Sequence, residues 1–163
     1  MRNSKTDSHK ILLIGIGNSG RGDDGLGWRF AELVAGNLFN FFDCEYRYQL
    51  QIEDSDLISK YDRVIFVDAS HAVLENGFQL NPCTGAGHYF YSSHMQSPET
   101  VLYLANTLYK SYPKAYTLGI SGRYWELKTS LSKEAKKNLD EAYAFFEEGF
   151  LPEIQIWPMC TLN

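Results

Sequence analysis

Apolar positions fall along the chain in two alternating rhythms. Ile11-Leu12-Leu13-Ile14 is an unbroken apolar run followed by Gly15-Ile16-Gly17-Asn18. Such a run predicts a strand buried on both faces that ends in a glycine-rich turn. Across residues 25–39 the apolar positions Leu26, Phe30, Leu33, Val34 and Leu38 recur at helical spacing, so the chain opens as strand, turn, helix. Residues 44–50 alternate as a second strand, and Arg63-Val64-Ile65-Phe66-Val67-Asp68 predicts a third, parallel and buried, with a short helix at 56–60 between them. Residues 78–80 and 87–91, with Pro82 and Gly85 between, predict a less regular fourth strand or hairpin. Ser97 then reads as an N-cap with Pro98 at the first helical position. The apolar face of that helix is Val101, Leu102, Ala105, Leu108 and Tyr109, and it ends before Pro113. Residues 115–120 form a fifth strand. Ser132, with Glu134 in the first turn, starts a last helix whose Ala135, Leu139, Ala142 and Phe146 face inward and which Gly149 stops.

Strands alternating with helices predict an α/β fold, a single-domain three-layer sandwich in which a mostly parallel, twisted sheet of about five strands carries helices on both faces. Residues 1–9 are polar and predict a flexible tail, and 10–163 form the one domain, with neither a repeat nor a linker. Composition agrees: 44% hydrophobic and 21% charged residues are ordinary globular usage and exclude a disordered chain or a coiled coil. The apolar runs are far shorter than the roughly 20 residues needed to cross a bilayer. The start Met1-Arg2-Asn3-Ser4 lacks a signal-peptide apolar region, which predicts a cytoplasmic protein.

Charge narrows the partners. A net charge of -5 argues against a phosphate backbone, and Lys133, Lys136 and Lys137 are interleaved with Glu134, Asp140 and Glu141 as on a solvated helix face. Cys44, Cys83 and Cys160 are odd in number and lack C-x-x-C spacing, so neither a disulfide framework nor a structural zinc site is expected.

In open α/β sheets ligands bind outside the carboxyl ends of the strands, and three loops there carry chemistry. The first, Gly15 to Gly25, contains G-x-G-x-x-G between a strand and a helix, the pattern of a dinucleotide site. Asp23 and Asp24 stand where a pyrophosphate would sit and would repel it. Helix capping accounts for one of these carboxylates more easily than for both. The second loop places Asp68 at the end of an apolar strand, where it serves either as a turn cap or as a functional carboxylate. The third is Ser92-Ser93-His94-Met95-Gln96-Ser97, with His94 just before a helix start. Each residue alone has an ordinary structural explanation. Together Asp24, Asp68 and His94, each expected after a strand on one edge, form an O,O,N ligand set for a divalent metal with open coordination positions. His71 and His88 are spare candidates. Serine and cysteine nucleophiles are poorly served: there is no G-x-S-x-G elbow, and no cysteine has an evident base. Tyr89, Phe90, Tyr91 and Trp125 read as core or rim packing.

The motifs Ile14-Gly15-Ile16-Gly17-Asn18, Gly22-Asp23-Asp24-Gly25-Leu26-Gly27, Val64-Ile65-Phe66-Val67-Asp68-Ala69 and Ser93-His94 resemble those of the hydrogenase maturation endopeptidases. That family trims the C-terminal peptide from the large subunit of nickel–iron hydrogenases. Gln49-Leu50, Leu108-Tyr109 with Pro113, and Leu131-Ser132 also resemble the branch that serves soluble, bidirectional hydrogenases. The resemblance implies that Asp24, Asp68 and His94 contact nickel already inserted in the precursor and are the catalytic trio of a monomeric peptidase. Nickel then arrives with the substrate, and zinc or cadmium could replace it in vitro. Two departures stand out. Tyr48-Gln49-Leu50-Gln51-Ile52-Glu53 replaces a D-G-G-T-like turn, and Asp24 stands where some members carry glutamate. Two rival functions remain at this level: a nickel-sensing module that binds the precursor without cutting it, and a dinucleotide-dependent oxidoreductase.

Overall fold

The computed structural model describes residues 11–86 and 96–154. Strand β1 (Ile11–Ile16) leads through a short 3-10 turn (Gly22–Gly25) into helix α1 (Leu26–Asn37), then β2 (Phe42–Arg47), α2 (Asp54–Ile58) and β3 (Arg63–Ser70). Next come β4 (Phe78–Cys83), α3 (Pro98–Tyr109), β5 (Lys114–Ser121) and α4 (Lys133–Phe145). The strands form one sheet in the order β2-β1-β3-β5-β4. All neighbours are parallel except β4, which runs antiparallel to β5 at the edge. The three-layer α/β sandwich read from the sequence is therefore the fold.

Alternation along the parallel strands builds two cores. Ile11, Leu13, Ile65, Val67, Leu118 and Ile120 point to one face and pack under Leu26, Phe30 and Val34 of α1 and Ala135, Leu139 and Ala142 of α4. Leu12, Ile14, Val64, Phe66 and Ala115 point to the other and pack against Ile58 of α2 and Val101, Leu102 and Ala105 of α3. Both faces of the central strands are thus dry, which is why their sequences show no polar alternation.

Several boundaries differ from the sequence reading. The second strand runs from Phe42 to Arg47 rather than 44–50, because Arg47 turns its carbonyl to Gly17 N–H and Trp28 Nε1 and ends the ladder there. The third strand extends two residues past Asp68, which stays in register with Gly119 of β5. Leu108 and Tyr109 of α3 are exposed at 59% and 46%, so its buried face is narrower than the spacing implies. Gly149 does not stop the last helix: α4 passes into a π-helical turn (Phe146–Phe150), then Leu151–Glu153, which lets Phe146, Phe150 and Leu151 all bury. The hairpin partner expected at 87–91 and the tail at 1–9 lie outside the described residues.

Two glycines set how close α1 sits to the sheet. A Cβ on Gly27 would lie 2.3 Å from the carbonyl oxygen of Ile16 and 2.5 Å from that of Val67, and one on Gly15 would lie 2.5 Å from the carbonyl of Gly27. The obstructing atoms are backbone and cannot swing away. Gly27→Ala is expected to destabilise the protein by about 2–4 kcal/mol, as overpacking against fixed main chain does. Gly36, with nothing within 4 Å of its Cβ position, is the matched control, and Gly36→Ala should stabilise α1 by about 0.5–1 kcal/mol in urea denaturation.

Candidate functional site at the carboxyl edge

The loop after β1 is closed on itself. Gly17 N–H donates to the Arg47 carbonyl, Asn18 to Asp24, Arg21 to Asn18, Gly22 to Lys128, Asp23 to Tyr124 and Asp24 to Arg21, while Gly20 N–H donates to Asn18 Oδ1. Most of the amides that would cradle a pyrophosphate, those of Gly17, Asn18 and Gly20 among them, are already committed to acceptors within the protein, which together with Asp23 and Asp24 disfavours a dinucleotide site. Gly17, at φ 133°, leaves no room for a Cβ beside the Asp24 carbonyl, 2.0 Å from where it would stand. The glycines serve chain crossing rather than phosphate.

Asp23 and Asp24 part company here. Asp23 is fully buried and caps neither the 3-10 turn nor α1. Its Oδ2 accepts from Arg123 N–H at 2.7 Å, Tyr124 N–H at 3.0 Å and the Ser132 hydroxyl at 2.7 Å, and its Oδ1 accepts from Ser132 N–H at 2.7 Å. Ser132 Oγ in turn caps α4 by accepting from Ala135 N–H. Asp23 thus does from a distance what a glutamate at N3 does in a capping box, satisfying the N-cap backbone donor. Burial alone would push its pKa up; the bonds from Ser132, Tyr124 and Arg123 outweigh that and hold it below the usual carboxylate value.

Asp24 is half-buried, with its Oδ1 beside Gly17 at the end of β1. Asp68 stands at the same end of the neighbouring strand, in a recess of about 360 Å³ lined by Ile16, Phe66, His71, Gln79, Pro98 and Gly119 among others. Asp68 is exposed to solvent, yet neighbouring protein partly desolvates its carboxyl and pushes its pKa up to about 6. The principal cause is that desolvation, opposed by a hydrogen bond from Ala69 N–H and reinforced by the negative charge of Asp24. Asp24 is thus near enough for its charge to act on Asp68.

His94, Ser93, His88 and residues 89–91 lie outside the described residues. Because β4 runs antiparallel, its own end points away from Asp68, so the same-edge placement expected for a residue following that strand does not come from β4. The chain is back at the carboxyl edge by Gln96, whose N–H donates to the Leu50 carbonyl, and by Pro98, which lines the Asp68 recess. His71 is exposed and stacks on Trp125 with ring centroids 3.7 Å apart, and it shares the recess with Asp68. Among the described residues no group of three His, Cys, Asp or Glu side chains could hold a metal. Cys44 and Cys83 have pKa values raised to about 11 and about 12, chiefly by burial, with Asp43 and Glu45 adding to the first and Glu99 to the second. Neither is an activated nucleophile. Sequence reasoning missed the separate role of Asp23; a pair of adjacent carboxylates carries no local signal for which one turns inward.

Two stability predictions follow from these carboxylates. Asp23→Ala strands four donors and should cost about 3 kcal/mol in chemical denaturation at pH 7. Asp68 behaves oppositely. Its folded pKa of about 6 exceeds the ordinary carboxyl value of 3.8, so the folded state holds a proton that the unfolded chain has released, and stability falls as pH rises between those values. Asp68→Asn should therefore stabilise the protein above pH 6, by about 1 kcal/mol once solvent screening is allowed for. The gain should vanish near pH 4 in thermal melts taken across that range.

No family model and no curated protein matches the sequence. Solved structures do match. The [NiFe] hydrogenase maturation protease HycI from Thermococcus kodakarensis KOD1 is 22% identical, with a TM-score of 0.65 over 93% of this chain and 96% of that one. A hydrogenase 2 maturation peptidase from a Thaumarchaeota archaeon is 20% identical, with a TM-score of 0.63 over 86% and 97%. The hydrogenase maturating endopeptidase HybD from E. coli is 17% identical, with a TM-score of 0.62 over 86% and 94%. The chain has the fold of the hydrogenase maturation endopeptidases.

Proposed function

We propose that this protein is an endopeptidase of hydrogenase maturation, removing the C-terminal peptide of a nickel-loaded [NiFe] hydrogenase large-subunit precursor, with Asp24, Asp68 and His94 engaging the metal. The observation that carries the reading is the fold, whose solved neighbours are named maturation peptidases, and it is supported by Asp68 lying at the carboxyl edge within the electrostatic reach of Asp24. The precursor brings the nickel, which acts as part of the substrate. Two carboxylates and an imidazole leave coordination positions for ligands from the precursor, so docking and metal recognition become one event.

Within that event the chain contributes position and a proton site. Asp24, half-buried against the glycine turn, presents a fixed carboxylate. Asp68, with a pKa near 6, can hold or release a proton close to neutral pH, the range in which a general acid or base is effective. His94 is assigned as the third member because the chain reaches the same rim at Gln96 and Pro98. The closed glycine loop and the high-pKa cysteines leave the carboxylates as the principal chemistry at this edge.

The test is incubation of nickel-loaded precursor with wild type, Asp68→Ala and His94→Ala, read by the mass of the large subunit. Wild type is expected to release the C-terminal fragment. Both variants are expected to lose processing by at least 100-fold while keeping a cooperative thermal transition, as loss of a metal-engaging or proton-transferring group does. Full processing by either variant would sink its assignment. Precursor that binds wild type without a change in mass would convert the protein to a nickel-sensing module.

A further inference from the structure

The face of the sheet above α2 and α3 changes character from one edge to the other. Strand register places Val64, Ala115 and Cys83 in one row across β3, β5 and β4, and all three are buried and apolar. The next row on the same face is Phe66, Thr117 and Asn81, and the next is Asp68, Gly119 and Gln79. Cross-strand partners share a face, so the polar residues of β4 stand on the same side as Asp68. They line the same recess, with Thr117 and Gly119 between. Gly119 puts no side chain between Asp68 and Gln79. A Cβ there would find Ser70 Cβ at 3.7 Å and Leu74 Cδ1 at 3.9 Å, ordinary contact distances, so the sheet itself does not require glycine at this position.

Gln79 and Asn81 are exposed, and neither amide hydrogen-bonds to another described residue. A primary amide offers a donor and an acceptor together, the pair that a peptide group needs. The spacing matches as well. Alternate residues of an extended chain are about 6.8 Å apart, the separation of Gln79 from Asn81 along β4, and two inter-strand spacings across β5 set Gln79 about 10 Å from Asp68, the reach of three extended residues.

We propose that Gln79, Asn81 and Thr117 form a subsite for main-chain groups of the protein substrate, seating a segment of the precursor that crosses Gly119 from the Asp68 site and then extends along the edge strand. The inference rests on the peptidase reading for the identity of the chain it seats, and on the register of β3, β5 and β4 for the subsite itself. Gln79 and Asn81 are positioning residues: they fix the substrate segment relative to Asp68 and do not meet the reacting atoms.

The experiment measures affinity and cleavage of nickel-loaded large-subunit precursor for wild type, Gln79→Ala, Asn81→Ala, the double variant and Asn81→Gln. Each single alanine variant is expected to raise Kd and KM about five- to tenfold, and the double about 50-fold, with kcat within twofold. Asn81→Gln should recover part of the loss, and thermal midpoints should stay at the wild-type value because both side chains are exposed. Cleavage with unchanged KM in the double variant overturns the subsite and leaves the peptidase reading standing. Binding without cleavage in wild type, weakened in the double variant, overturns the peptidase reading and upholds the subsite. Failure of wild type to bind the precursor overturns both.

Discussion

The buried carboxylate of Asp23 is the constraint on which the carboxyl edge depends. It accepts four hydrogen bonds from two segments about 100 and 109 residues away in sequence. A charge in that position is tolerated only when every lone pair is served, so the segments must arrive together for either to be stable there. The same bonds fix the N-cap of α4 through Ser132 and align the loop after β5 beside the glycine turn, where Lys128 pairs with Gly20 and Gly22. The neighbouring residue, Asp24, inherits a rigid backbone. Its side chain stays half-exposed while Asp23 anchors the turn inside, so the candidate carboxylate is held by a structural one.

The glycine pattern works toward the same end. Gly15 and Gly27 bring α1 into van der Waals contact with the backbone of β1 and β3, and Gly17 lets the chain cross the Asp24 carbonyl. Close approach shortens the distance from β1 to the turn, so Asp24 falls near enough to Asp68 for its charge to add to the rise in pKa. A strand-turn-helix unit rich in glycine is usually associated with phosphate. Here most amides of the turn are committed to acceptors within the protein, and the same local pattern places carboxylates, Asp23 and Asp24, where a phosphate would sit.

At Asp68 the fold carries a charge that its surroundings disfavour. Its ionised form is disfavoured by crowding and by Asp24, which leaves it able to exchange a proton near neutrality. The polar residues on the adjoining strands have the converse character: Thr117 and Asn81 lie one register row, and Gln79 two rows, from the apolar row of Val64, Ala115 and Cys83 on the same face.

The order of strands and helices, the buried parallel core and the N-caps Ser97 and Ser132 were legible in the sequence, because period and capping are local properties that each segment states for itself. Asp68, near the carboxyl end of β3, and Asp24, in the turn after β1, were legible for the same reason as carboxylates placed against apolar strands. The antiparallel course of β4, and with it the row that joins Asp68 to Gln79, was not, since strand direction is decided by pairing partners distant in the chain. Nor could the sequence separate Asp23 from Asp24, because the partners that draw Asp23 inward are donors from a distant loop. The alternation of residues determined which positions would be buried in strands and helices. Only tertiary packing decided which of two adjacent carboxylates became a structural anchor and which was left to face the site.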